Sequence, residues 1–155
     1  VGVRSVTKYA ELLVFLLLVA GAAYFGMTYL PGPFYAALHK PVWTPPNSVF
    51  APTWTVLYVM IAFAGWIAWR AQGFGPLLWL WLLQLGLNGA WSYLMFGEKQ
   101  VTSALIDISA LWLAILAFIV VAWPVRRSAA LLFVPYFLWV TFAAALNFEI
   151  WRLNA

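Results

Sequence analysis

Charged positions are few along this chain, and they cut it into long apolar runs. Uncharged sequence fills 12–38, 41–69, 71–97, 108–125 and 128–148, each at least 18 residues long. A helix of about 20 apolar residues, rising about 1.5 Å per residue, crosses the roughly 30 Å of a bilayer's hydrocarbon. None of the runs alternates apolar and polar residues as a membrane strand does. The pattern therefore predicts an all-α integral membrane bundle of five transmembrane helices, near 9–30, 50–70, 77–96, 102–123 and 129–151, forming one domain over 1–155. Breakers separate them: Pro31-Gly32-Pro33, Gly73 with Gly75-Pro76, Gly97-Glu98-Lys99 and Pro124 before Arg126-Arg127. The one long connection, 31–49, carries Pro41, Pro45 and Pro46. These residues fix φ, so this loop is expected to be ordered.

Composition supports the pattern. Eight Lys or Arg and four Asp or Glu, against 66% hydrophobic residues, cannot cover the surface of a water-soluble domain. The net charge of +4 does not point to nucleic acid, because the basic residues are scattered between apolar runs. The absence of Cys and the single His leave no thiolate, disulfide or multi-His metal site. Arg4 and Lys8 before an apolar run containing Ala20-Gly21-Ala22 also fit a cleavable signal, but the run continues to Leu30, which favours a retained helix.

Five spans place the termini on opposite sides. The N-terminal side would hold Arg4, Lys8, Arg70, Arg126 and Arg127, and the other side Lys40, Lys99 and Arg152. Five against three makes the N-terminus cytoplasmic and the loop and C-terminus external. The expected location is a cytoplasmic membrane, with an outer membrane as the alternative. Single Cys residues at Asn47 and Gly73 should then label from opposite sides.

Polar and aromatic residues within the spans gather on single helical faces. The third span carries Trp81, Gln84, Asn88, Trp91 and Ser92 at spacings of three and four. The second offers Trp54, Tyr58, Gly65 and Trp69, and the fifth Tyr136, Trp139, Ala143 and Asn147. Helix direction puts Trp54, Tyr58, Asn88, Trp91 and Asn147 in the external half. There the Pro-rich loop adds Tyr35, His39, Lys40 and Trp43 as a roof. An aromatic pocket with few charges suits a large, flat, apolar ligand, such as a tetrapyrrole, a sterol or an aromatic drug, with Asn, Gln or Tyr fixing its orientation. Lys40 or Arg152 would meet a carboxylate at its mouth.

Structural roles compete with this reading at several positions. Trp69, Trp79, Trp112, Trp123 and Trp151 read as interfacial anchors. Gln84 and Asn88 could simply bond neighbouring helices. Asp107 is expected to cap its helix or pair with Lys99 or Arg152, and Glu149 to pair with Arg152. Pro135 would kink the fifth helix or sit in its first turn. The pairs Ala22/Gly26 and Gly86/Ala90 serve either packing within the bundle or a homodimer.

The chain resembles the tryptophan-rich sensory protein/translocator protein family (TspO/MBR, peripheral-type benzodiazepine receptors). The resemblance lies in Tyr35-Ala-Ala-Leu-His-Lys-Pro41-Val-Trp43-Thr-Pro45-Pro46, in Trp54 with Leu57-Tyr58, and in Asn88 with Trp91 and Phe96-Gly97. Further matches are Ala104-Leu105 with Asp107, then Pro135-Tyr136, Trp139, Phe142-Ala143 and Leu146-Asn147. It implies a five-helix bundle, usually a homodimer, that binds protoporphyrin IX, haem and synthetic isoquinoline carboxamide or benzodiazepine-type ligands, and that regulates tetrapyrrole metabolism or stress responses. The implied pocket comprises Tyr35, Pro46, Trp54, Asn88, Trp91, Trp139, Ala143 and Asn147, to which the facial argument adds Trp43, Tyr58 and Gln84. No obligatory cofactor is implied. Light-dependent porphyrin breakdown, with Trp54 and Trp139 as the catalytic pair, and transport of such ligands are the alternatives. Animal members bind sterol through a motif with a Tyr, where this chain has Phe148, so tight sterol binding is not expected. That difference and the short C-terminus point to a bacterial member.

Overall fold

A computed structural model describes residues 2–155. Its helices are α1 (Gly2–Met27), the short α2 (Pro33–Ala37), α3 (Phe50–Gln72), α4 (Pro76–Ser92), α5 (Val101–Ala122) and α6 (Arg127–Asn154). A 3-10 turn, Asn47–Val49, leads into α3, and a π-helical turn, Tyr93–Gly97, ends α4. No strand occurs among the described residues. Four helical stretches are long and apolar enough to cross a membrane: Gly2–Met27, Asn47–Gln72, Val101–Ala122 and Arg127–Asn154. The fifth long helix, α4, has 17 residues, about 25 Å of rise.

Local signals set most boundaries. Pro33 and Pro76 begin α2 and α4, where a missing N–H costs nothing. Gly73 ends α3 at φ 59°, a left-handed conformation suited to Gly, and its N–H bonds to the Trp69 carbonyl at 2.8 Å. The first helix departs most from expectation. It starts at Gly2 and stops at Met27, where the Thr28 hydroxyl donates to the Phe25 carbonyl at 2.6 Å and competes with the next helical turn. Pro135 lies inside α6 rather than in its first turn, so the Leu131 carbonyl has no helical donor.

The five long helices close into a ring. Going round it, α1 packs on α3, α3 on α6, α6 on α5, α5 on α4 and α4 on α1, with α3 and α4 also touching across it. Two buried clusters fill the bundle. The larger runs through all five helices and contains the fully buried Ile61, Leu77, Trp81, Ile115, Phe118, Phe133 and Tyr136. The smaller joins Tyr35 of the loop to Met95, Ala104, Leu146 and Ile150.

Several polar groups in the apolar interior are bonded across helices, where an unbonded N–H is costly. The Trp81 indole N–H donates to the Ile61 carbonyl at 2.8 Å, with Phe15 edge-on to the ring at 5.0 Å, so α1, α3 and α4 meet at one side chain. Trp112 is not an interfacial anchor. It sits midway along α5 and donates to the Thr141 hydroxyl of α6 at 2.8 Å. At the N-terminal end, Arg70 pairs with Glu11 at 3.1 Å, and the Trp66 indole N–H donates to the Lys8 carbonyl, joining α3 to α1. Trp123 lies beneath the Arg127 guanidinium at 4.6 Å, consistent with an anchor.

The small-residue pairs divide. Gly26 faces the Ser92 side chain within the bundle, whereas Gly86 has open space beside it. Gly86 and Ala90, with Ala22 of α1, line an open apolar groove of about 350 Å³ between α1 and α4.

Candidate functional site

A small cavity of about 40 Å³ lies among α3, α4, α5 and α6. Trp54 and Phe50 come from α3, Asn88, Trp91 and Ser92 from α4, Ile108 and Leu111 from α5, and Trp139, Val140 and Ala143 from α6. Five of the eleven ligand residues expected from sequence line it: Trp54, Asn88, Trp91, Trp139 and Ala143. Three more stand directly behind them. Tyr58 stacks on Trp54 with centroids 5.3 Å apart, and its hydroxyl donates to Asn88 Oδ1 at 3.1 Å. Asn147 Oδ1 accepts the Trp91 indole N–H at 2.9 Å, and its Nδ2 donates to the Val101 carbonyl, so Asn147 orients Trp91 rather than facing the cavity. Gln84 is fully buried one turn below Asn88, reaching it through Tyr136.

The other three belong to the roof. Tyr35 is buried against Met95, Leu146 and Ile150, with Phe96 edge-on at 5.5 Å, and fastens the loop to the bundle. Trp43 is 44% exposed and packs on Phe142 at 5.6 Å, on the outer side of the roof. Pro46 precedes the 3-10 turn, and its carbonyl accepts the Val49 N–H at 3.0 Å.

The roof is held by specific bonds. The Lys40 ammonium donates to the carbonyls of Tyr35 (2.8 Å), Leu38 (3.1 Å) and Ala36 (3.3 Å), closing the end of α2. Asn154 near the end of α6 clasps the loop backbone: its Oδ1 accepts the His39 N–H at 3.0 Å and its Nδ2 donates to the His39 carbonyl at 2.8 Å. Phe50 reaches from the start of α3 to lie edge-on to Trp139 at 5.9 Å. Both cations expected at the mouth are engaged within the chain. Lys40 is spent on the loop carbonyls, and Arg152 pairs with Glu149 at 2.7 Å.

Two buried polar atoms have no partner among the described residues: Trp139 Nε1 and Asp107 Oδ2. The expected pairing of Asp107 with Lys99 or Arg152 is not formed, since Glu149 holds Arg152 and no ion pair reaches Asp107. Trp139 Nε1 matters more, because this indole borders the cavity. It is a buried donor without an acceptor, on a ring that forms part of the cavity wall.

Phe50, Ile108, Leu111, Val140 and Tyr136 were not expected as site residues. The first four carry no polar signal, and only packing shows that they face the cavity. Tyr136 lay on the correct stripe, but its bonding partners are residues 48 and 52 positions away.

Comparison with known proteins places this site in a family. The family model described as TspO/MBR matches residues 12–152. The chain belongs to the TspO/MBR family. Among curated members, Protein CrtK of Rhodobacter capsulatus is 35% identical, over 97% of this chain and 94% of its own length. The tryptophan-rich sensory protein of Cereibacter sphaeroides is 36% identical, over 94% and 92%. The translocator protein of Sus scrofa is 40% identical, over 77% and 74%. The TspO/MBR match runs from within α1 to Arg152 of α6, and hence covers every residue lining the cavity. Family and apolar helices together make this an integral membrane protein of the sensor/translocator type.

Proposed function

We propose that this member of the TspO/MBR family is a membrane sensor that binds porphyrins, such as protoporphyrin IX or haem, in the cavity beneath the Pro-rich roof. Synthetic isoquinoline carboxamide or benzodiazepine-type ligands would share the site. The observation that carries the reading is Trp139: an indole with an unpartnered buried N–H, bordering a cavity whose other walls include Trp54 and Trp91. Flat conjugated rings stack on such faces, and opening of the Phe50–Trp139 contact would bring the N–H within reach of a ring-borne acceptor. A space of about 40 Å³ is far below the roughly 300–1,000 Å³ of ligand pockets. Binding therefore requires the roof and the Phe50–Trp139 contact to open.

In this reading the bundle crosses the membrane five times, with the N-terminus cytoplasmic and the roof outside, in a bacterial cytoplasmic membrane. The open groove at Gly86 and Ala90 would receive a second copy in a homodimer. A second reading, light-dependent breakdown of the porphyrin with dioxygen as co-reactant, is favoured by Trp54 and Trp139 bordering the same small space.

One sample tests both. Protoporphyrin IX added to the detergent-solubilised protein should quench Trp fluorescence saturably, and Trp139→Phe should weaken binding. Equal binding by parent and variant would remove this site. Illuminating the same complex in air should give a new bilin-like absorbance that needs Trp54 and Trp139 if the protein degrades the ring. Bleaching at the rate of the free porphyrin leaves binding alone.

A further inference from the structure

A chain of hydrogen bonds behind the cavity has a direction, and one backbone carbonyl sets it. Gln84 Nε2 donates to the Trp81 carbonyl at 2.8 Å. That carbonyl can only accept, so the Gln84 amide must turn its NH2 towards it and its Oε1 towards Tyr136. The Tyr136 hydroxyl has one proton and donates it to Gln84 Oε1 at 2.8 Å. Tyr136 Oη can then only accept from Asn88, which donates Nδ2–H to it at 2.8 Å. Asn88 Oδ1 is left facing Tyr58, whose hydroxyl donates to it at 3.1 Å. Reversing any one amide would set donor against donor or acceptor against acceptor inside an apolar bundle.

We propose that Tyr136 is a positioning residue for the ligand site: it fixes which way the Asn88 amide faces the cavity, relaying the polarity of the Trp81 carbonyl through Gln84. Tyr136 itself does not line the cavity and is fully buried. It lies between α4 and α3, bonded to Asn88 and Gln84 and edge-on to Trp54 at 6.2 Å. Asn88 is 6% exposed and borders the cavity, so its orientation decides whether the wall offers a spare N–H or a spare oxygen. With the polarity as found, one Nδ2–H is committed to Tyr136 and the second remains for a ligand acceptor.

The inference rests on the cavity being the ligand site, and the experiment separates the two. Protoporphyrin IX binding to the full chain is measured by Trp quenching for the parent, Tyr136→Phe, Asn88→Ala and the double variant. Tyr136→Phe should weaken binding roughly twofold to tenfold in the parent, the size of one buried hydrogen bond, and not further in Asn88→Ala. Gln84→Leu keeps the Tyr136 hydroxyl but removes its acceptor. It should repeat that pattern, and it carries the cycle if Tyr136→Phe does not fold. Equal losses in both backgrounds, or none in the parent, overturn the proposal, because a merely structural Tyr136 acts regardless of Asn88. If the parent itself shows no saturable quenching, the porphyrin reading fails. Positioning is then read from the Asn88 side-chain 1H–15N signals, identified by their loss in Asn88→Ala. Tyr136→Phe and Gln84→Leu should each shift them and speed their solvent exchange, and unchanged signals overturn the inference.

Discussion

Gly65 shows how much one missing side chain can decide. A Cβ built there would run into the Trp81 indole, which packs edge-on with Phe15 and is tied through its N–H to the Ile61 carbonyl. The ring cannot retreat without breaking a bond in the apolar interior. Gly65→Ala should therefore destabilise the bundle by about 1–3 kcal/mol, the cost of overpacking a tight core. Thermal unfolding in detergent would show it, and an unchanged midpoint would mean that the ring has room to move. The sequence reading recovered both residues but not their relation. Spacing set Gly65 on the stripe of Trp54 and Tyr58, and Trp81 on that of Asn88, as if both faced a pocket. The side chain that fills the gap at Gly65 comes from another helix, and periodicity within one helix carries no information about that. Asn88, Trp91 and Trp139 were legible for the opposite reason: a polar or aromatic group deep in a membrane helix needs a partner or a cavity, and its position alone says so.

At the scale of elements, the Pro-rich segment was legible as ordered because its prolines restrict the backbone, but its fastening was not. Its clasp is Asn154, 115 residues from His39, and no local pattern announces such a pair. Asn154→Ala removes both bonds to the His39 backbone while leaving Tyr35 in its apolar seat. Hydrogen exchange at the His39 amide should accelerate, with little change in the amides of α5. Equal protection in parent and variant would mean that Tyr35 and Lys40 suffice to hold the roof. The π-helical turn after Ser92 was also invisible. Sequence carries the third span to about residue 96, and the chain does stay helical to Gly97, but the winding loosens at Tyr93. There Tyr93 packs edge-on to Tyr29 at 5.3 Å, and a Cβ at Gly97 would stand 2.7 Å from the Tyr29 ring. The backbone accommodates a tertiary aromatic cluster that helix propensity does not describe.

For the whole molecule, topology rests on α4. If α4 crosses, the N-terminal side holds Arg4, Lys8, Arg70, Arg126 and Arg127. If it does not, that side holds Arg4, Lys8, Arg70, Lys99 and Arg152, again five of the eight basic residues. The positive-inside rule therefore gives the same score for both arrangements and cannot choose between them. Packing does favour one. α4 lies between α1 and α5 in the closed ring, and the π-helical turn extends its reach to Gly97 before the polar turn at Glu98-Lys99. A helix inserted between two long membrane helices shares their depth, and α4 buries Leu77 at one end and Asn88 near the other. The parent has no Cys, so single substitutions report cleanly. Gly73→Cys and Glu98→Cys should label with a membrane-impermeant reagent from opposite faces of oriented vesicles, and Val125→Cys from the same face as Gly73→Cys. Labelling of Gly73→Cys and Glu98→Cys from one face would leave α4 as a re-entrant helix, and would move the C-terminus, with its Asn154 clasp, to the side of the N-terminus. The roof and Asn154 would then lie on opposite faces and the His39–Asn154 bonds could not form, so the proposed five crossings and the clasp stand or fall together.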